Sequence, residues 1–327
     1  IDYAPDFLSG ASGLPTAATA YWMPFASVWC SLWMRVFGTE YATAQLAMAA
    51  LTALAPIPTY LLGRDLLSSR RLGLTAAYIG AVGDDDFGGR MLRELAAEDV
   101  DTAGVIVEPG ASSQFAFIMV DERTAARTIL WTRGSVSRLG AGDVDLGLVR
   151  SARVLLIDDL EPVAALAGAR AAHEAGVPVV IDAGSLRDGV TDLLPLCDYL
   201  VASEVFAEQF SGGNDPLESI EALMSFRPKA AVVTLGERGC IGLSDEGFVE
   251  AEGFAVDAVD TTGAGDVFHG AFCFAVLRGW DLHRACIFSN AVAAMKCRAL
   301  GGRAGIPTFE EVVSFLGTHR PDIDLTG

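Results

Sequence analysis

Residues 153–184, RVLLIDDLEPVAALAGARAAHEAGVPVVIDAG, decide the fold. A short apolar run, a helical stretch from Pro162 to Gly176 and a second apolar run read as strand, helix, strand. The alternation continues downstream. YLVAS (199–203) is a strand, EVFAEQF (204–210) and LESIEALMSF (217–226) are helices, and KAAVVTLG (229–236) is a strand. Upstream, TAAYIGAV (75–82) reads as a buried strand and DDFGGRMLRELAAEDV (85–100) as an amphipathic helix. SQFAFIMVD (113–121) and RTILW (127–131) read as strands of an extra sheet or flap. Apolar strands separated by helices predict a mainly parallel sheet covered on both faces, with ligands at the carboxyl ends of the strands.

Bulk properties narrow the function. The 327 residues are 51% hydrophobic and 20% charged, enough to bury a large core. A formal charge of −19 leaves no basic patch for a nucleic acid and argues against polybasic membrane-surface binding. Cys30, Cys197, Cys240, Cys273, Cys286 and Cys297 are scattered, as in a cytoplasmic protein with reduced core thiols. Residues 1–70 differ in texture. They carry the acids Asp2, Asp6, Glu40 and Asp65, the bases Arg35, Arg64 and Arg70, and the tryptophans Trp22, Trp29 and Trp33. Uncharged stretches from Phe7 to Met34 and from Tyr41 to Gly63 are long enough to span a bilayer. This segment is expected to be hydrophobic and helical, either in contact with a membrane or buried as soluble helix.

The chemistry is carried by DTTGAGDVFHGAF, residues 260–272. After FAVDAV (254–259), read as a strand, the chain turns through Gly263, Ala264 and Gly265 into an apolar helix. A helix N-terminus offers unpaired N–H groups and a dipole that favours anions, and small residues let a phosphate approach the backbone. Asp266 follows at the mouth of this anion hole. A carboxylate there suits phosphoryl transfer to an alcohol: it accepts the hydroxyl proton while the amides of 263–266 hold the phosphate oxygens. An ordinary N-cap after a glycine turn is the plainer reading. Lys229 and Lys296 are the only two lysines and neither follows a GxxxxG run, so there is no P-loop; nor is there a His-Arg-Asp triplet. Arg238 and Arg303 are candidate phosphate contacts, His269 reads as structural, and Asp84–Asp85–Asp86 reads as turn and N-cap chemistry.

DTTGAGD followed by FHGAF resembles the C-terminal signature of the ribokinase (PfkB) family of carbohydrate and nucleoside kinases. The resemblance runs from about residue 72 to 317 and includes Gly80, Gly83, Asp85 and Gly88 of an early glycine-rich region. It implies a ribokinase-like three-layer α/β/α sandwich with a mainly parallel central sheet and a β lid. It also implies ATP and Mg2+. Thr234, Gly236 and Gly239 of VVTLGERGC would line the ATP phosphates, and Asn290 would contact the adenine region. The family's Asn-x-x-Glu falls on Ser203 to Phe206, which places Ser203 at the nucleotide and leaves Glu204 to serve magnesium. A monovalent cation such as K+ would lie near Asp260 and the Thr262 carbonyl.

KCRALGGRAGIP and ASEVFAEQF look most like bacterial sugar kinases related to ketohexokinase and sulfofructose kinase, although Trp131 and Leu160 stand where a sulfonated sugar would need Asn and Arg. Residues 1–70 instead resemble a membrane glycosyltransferase of the dolichyl-phosphate-mannose type, which suggests a chimera whose kinase domain (71–320) lacks its usual first strand and part of the lid. Losing that strand would bare a sheet edge. The expected partner is a small-molecule sugar; many relatives homodimerise through the lid strands, which read as incomplete in this chain, and the sequence leaves the oligomeric state open. The readings are a carbohydrate kinase, a nucleoside kinase of the same fold, or a nucleotide-binding but inactive fusion.

Overall fold

The computed structural model describes residues 76–120 and 127–325. Segment 1–70, with its expected helices and membrane contact, lies outside them, as does Cys30. Among the described residues no helix is long and apolar enough to cross a membrane.

The strand–helix alternation forms as read. Strands β1 (Gly80–Gly83) and β2 (Val105–Glu108) pair in parallel around helix α1 (Asp86–Ala97). Strands β3 (Phe115–Val120) and β4 (Arg127–Thr132) form a separate antiparallel pair, the flap. Helix α2 (Leu146–Ser151) leads into β5 (Leu155–Asp158), α3 (Pro162–Ala175), β6 (Val179–Ala183), β7 (Tyr199–Ser203), α4 (Glu204–Ser211), α5 (Pro216–Met224) and β8 (Ala230–Thr234). The hairpin β9 (Gly239–Ser244) and β10 (Gly247–Glu252) follows, then α6 (Ala264–Arg278), α7 (Leu282–Lys296) and α8 (Phe309–His319). The main sheet has the order β10-β9-β8-β7-β6-β5, with β5 to β8 parallel and the hairpin antiparallel at one edge.

Period-two alternation sends successive strand side chains to opposite faces. Val180, Val201 and Val232 meet Phe268, Phe272, Ile287, Phe288 and Leu316 on one side. Ile181, Leu200, Ala202 and Val233 meet Ala169, Ala172, Phe206, Ile220 and Leu223 on the other. Each such fully buried large side chain contributes about 1.5–3 kcal/mol. The five described cysteines are buried and form no disulfide among the described residues, and burial pushes the Cys197 and Cys273 thiols up to about 12.

FAVDAV does not form the expected strand. Backbone bonds at its two ends go elsewhere: Gly253 N donates to Arg238 O at 3.2 Å, and Val259 N and Asp260 N donate to Cys297 O at 2.8 and 3.1 Å. With those donors committed to a loop and a helix end, no ladder extends beyond Glu252.

The early glycine-rich region is a packing device. A Cβ on Gly83 would meet Ala111 O at 2.1 Å, and one on Gly88 would meet Gly83 O at 2.1 Å. Asp85 caps α1: Oδ1 accepts from Gly88 N at 2.9 Å and from the Ser113 hydroxyl at 2.6 Å, and Oδ2 accepts from Ser113 N at 2.8 Å. Burial alone would raise this carboxyl, but the bonds from Ser113 and Gly88 hold it below its ordinary value. Asp84 accepts from Gly110 N at 2.9 Å. The acidic run is therefore spent on turns and a cap. Asp85→Ala is expected to cost about 1–3 kcal/mol in urea unfolding, and Asp84→Ala less than about 1 kcal/mol. Equal losses would refute the capping role.

Candidate active site

The first turn of α6 stands over the carboxyl ends of the parallel strands. Gly263 is its N-cap at φ +76°, a left-handed conformation that a side chain strains, and no side chain caps the helix. Ala264 N donates to Thr261 O at 3.2 Å and Val267 N to Gly263 O at 3.0 Å. A Cβ built on Gly265 meets nothing within 4 Å. Neither neighbours nor dihedrals demand glycine there; the space above it is open, as a phosphate in this turn requires. Asp266 lies in the same first turn, half-buried.

His269 fixes this turn in place. Its Nδ1 lies 2.7 Å from Gly265 O, and its Nε2 lies 3.2 Å from Val201 O on β7 and 3.4 Å from Asp182 Oδ1 on β6. The ring is buried.

Ser203 and Thr234 sit side by side at the ends of β7 and β8. The Ser203 hydroxyl caps α4 by accepting from Phe206 N at 3.0 Å and donates to Gly184 O at 2.7 Å. Thr234 Oγ1 donates to Ala202 O at 3.4 Å. Gly236 opens a single 3-10 turn, Gly236–Arg238, at φ +62° with open space where a Cβ would stand. Gly239 and Asn290 converge on β10. A Cβ on Gly239 would meet Ala251 O at 2.1 Å, and Asn290 Nδ2 donates to Ala251 O at 2.9 Å and to Glu252 O at 3.3 Å. Glu204, at the head of α4, is ion-paired with Arg238, and Arg303 with Glu94 at 2.8 Å. Both arginines offered to phosphate thus already face carboxylates.

Asp260 is buried at 2% exposure. Its Oδ1 accepts from Thr262 N at 2.8 Å and its Oδ2 from Gly301 N at 2.7 Å. Burial opposes the charge, but bonds from Thr262 and Gly301 and the nearby Lys296 hold the carboxyl below its usual range. The carbonyl of Asp260 receives the Lys296 ammonium at 3.0 Å, and the Thr262 carbonyl receives it too.

A second set of carboxylates was not read from the sequence, although one strand ends in aspartate and another carries one next to its end. Asp158 ends β5 and Asp182 lies near the end of β6, with Asp159 beside them. Burial raises Asp158, with Asp182 and Glu161 adding to it against the Leu160 amide. Burial likewise pushes Asp159 up to about 6, against the pull of Arg187 at 3.5 Å. Burial, then Asp158 and Glu161, pushes the Tyr78 phenol up to about 12. Among the described residues no group of three or more His, Cys, Asp or Glu could hold a metal by itself.

Residues 68–309 match the family described as pfkB family carbohydrate kinase. Probable fructokinase-2 of Arabidopsis thaliana is 30% identical over 274 residues, 75% of this chain and 82% of its own length. The ribokinase of Haemophilus influenzae is 30% identical over 259 residues, 76% of this chain and 84% of its own. The crystal structure of a protein provisionally named ribokinase, from Agrobacterium tumefaciens, is similar at TM-score 0.72 and 30% identity, covering 81% of this chain and 86% of that one.

Asp159 gives a pH test of the strand-end geometry. A carboxyl raised on folding holds its proton more tightly in the folded state, so stability is lost as pH rises through about 6. Asparagine has no charge to bury. Asp159→Asn is expected to stabilise the chain at about pH 8 by on the order of 2 kcal/mol and to do nothing near about pH 4. Thermal unfolding at both values checks this; an equal gain at both, or none at either, overturns it.

Proposed function

The chain belongs to the pfkB family of carbohydrate kinases, with a ribokinase-like fold, and from that premise we propose how it transfers phosphate. The family makes it a phosphotransferase with a sugar hydroxyl as acceptor. In the proposal the donor is the γ-phosphate of ATP, which lies against the amides of residues 263–266, and Asp266 takes the acceptor's proton. The observation that carries this is the uncapped first turn of α6, with open space over Gly265 and Asp266 beside it.

The chemistry follows from charge. Phosphoryl transfer loads negative charge onto the transferring oxygens, and N–H groups fixed before reaction stabilise it without reorganisation. Asp266, one position beyond the open glycine, is within the same turn as those donors. His269 keeps the turn over β6 and β7, where an acceptor sugar would meet the strand ends. Ser203, Thr234, Gly236 and Gly239 supply the nucleotide side of the cleft, with Asn290 setting the end of β10 behind it. The kinase unit of this reading is residues 71–320.

Magnesium fits as a partner of the nucleotide. It keeps most of its waters and needs one or two carboxylates besides phosphate oxygens. Glu204 is the carboxylate that would hold it, through water, on release from Arg238. Held there, the ion would neutralise phosphate charge.

Turnover is read as ADP release with Mg-ATP and a panel of ketoses, aldoses and nucleosides. Turnover on a sugar supports the proposal; turnover confined to nucleosides replaces it with a nucleoside kinase. Asp266→Asn should leave Mg-ATP affinity nearly unchanged and lower kcat by about 10²–10⁴-fold or more. An unchanged kcat removes Asp266 from its role. Gly265→Val should fold, given the open space, yet weaken Mg-ATP binding by about tenfold or more. Wild-type affinity in that variant counts against the anion hole.

A further inference from the structure

One of the two lysines of the chain, Lys229, sits on the surface paired with Asp198 at 2.9 Å. The other, Lys296, is the last residue of α7 and is 0% exposed. A buried ammonium persists only where oxygens replace its water. Here the oxygens include the main-chain carbonyls of Asp260, at 3.0 Å, and of Thr262. The surrounding backbone holds this arrangement rigidly. Val259 N and Asp260 N donate to Cys297 O, and Gly301 N donates to Asp260 Oδ2. Gly305 closes over it so tightly that a Cβ there would meet Lys296 O at 2.2 Å.

These two residues are where the family resemblance places a potassium ion. Potassium does not fit there in this chain. The carbonyls already receive a cation, and a second positive charge on the same oxygens would be repelled at contact distance. We propose that Lys296 is a built-in substitute for the monovalent cation, so that neither nucleotide binding nor phosphoryl transfer depends on potassium.

The inference rests on the reading of residues 263–266 as the phosphate-binding turn. Its physical content is the orientation of a peptide. In a trans peptide the C=O and N–H point in opposite directions. Drawing the Thr262 carbonyl onto the ammonium therefore turns the Gly263 N–H away from Lys296, at the mouth of the turn. The charge also adds a positive field behind the helix N-terminus, where an incoming phosphate gains most from it. Lys296 touches neither substrate in this scheme; it is a positioning residue.

The test compares the full chain in potassium chloride and in tetramethylammonium chloride of equal ionic strength, reading the thermal midpoint and Mg-ATP affinity by calorimetry. For the wild type, affinity should differ by less than about twofold between the salts and the midpoint should not move. Lys296→Ala should lose about tenfold or more in affinity without potassium, and regain part of it with potassium or methylammonium, which can enter the vacated space. A wild type that needs potassium overturns the proposal, as does a Lys296→Ala variant with wild-type affinity in tetramethylammonium. If that variant does not fold, the wild-type comparison decides. Mg-ATP binding absent in every salt would count against the phosphate-binding turn, while the wild-type midpoints would still report on the cation.

Discussion

Burial of β6, β7 and β8 on both faces leaves this chain few places for polar chemistry. Val180, Val201 and Val232 face one layer of helices, and Ile181, Ala202 and Val233 face the other, all fully enclosed. Charge cannot enter the sheet without a desolvation cost of several kcal/mol, so it collects where the strands stop. Asp158, Asp182, Ser203 and Thr234 all lie at or beside the carboxyl ends. The first turn of α6 is delivered to the same edge, and its positive end is the natural counterpart to that acidic rim. One imidazole joins the two, since His269 reaches its own helix, β7 and β6 at once.

The parallel part of the sheet was legible because buried strands are written as continuous apolar runs. LLID, VVIDA, YLVAS and AAVVT fall within the segments read as strands. The hairpin was harder. Its outer strand, Gly247–Glu252, alternates exposed and sheltered positions and carries two glutamates, while the more apolar FAVDAV next to it looked the better strand. Tertiary bonds from Val259 and Asp260 to Cys297 decided against that run, and no local pattern announces a partner so distant in sequence. At the site, the small-residue turn and Asp266 were visible in DTTGAGD. The work of Gly239 and Asn290 was not, because close approach to β10 is a property of the packed molecule. The strand-end aspartates were visible as letters, but their perturbation depends on burial, which a sequence does not display.

Several residues that look like ligand contacts have structural duties of their own. Arg238 faces Glu204, and Asp85 satisfies three donors. Such double employment is expected where a site is assembled from loops. Each loop needs internal bonds to hold its shape before any ligand arrives, and pre-organisation lowers the entropy lost on binding.

The partly buried pair between Glu94 in α1 and Arg303 in the segment between α7 and α8 joins the beginning of the described chain to its end. In kinetic terms this is a contact that cannot form until nearly everything between has collapsed. Contacts between elements so far apart in sequence raise contact order, which slows folding and leaves sheet edges unfinished in late intermediates. On a ribosome, Glu94 would emerge long before Arg303. Helix α1 would wait for the segment that follows α7.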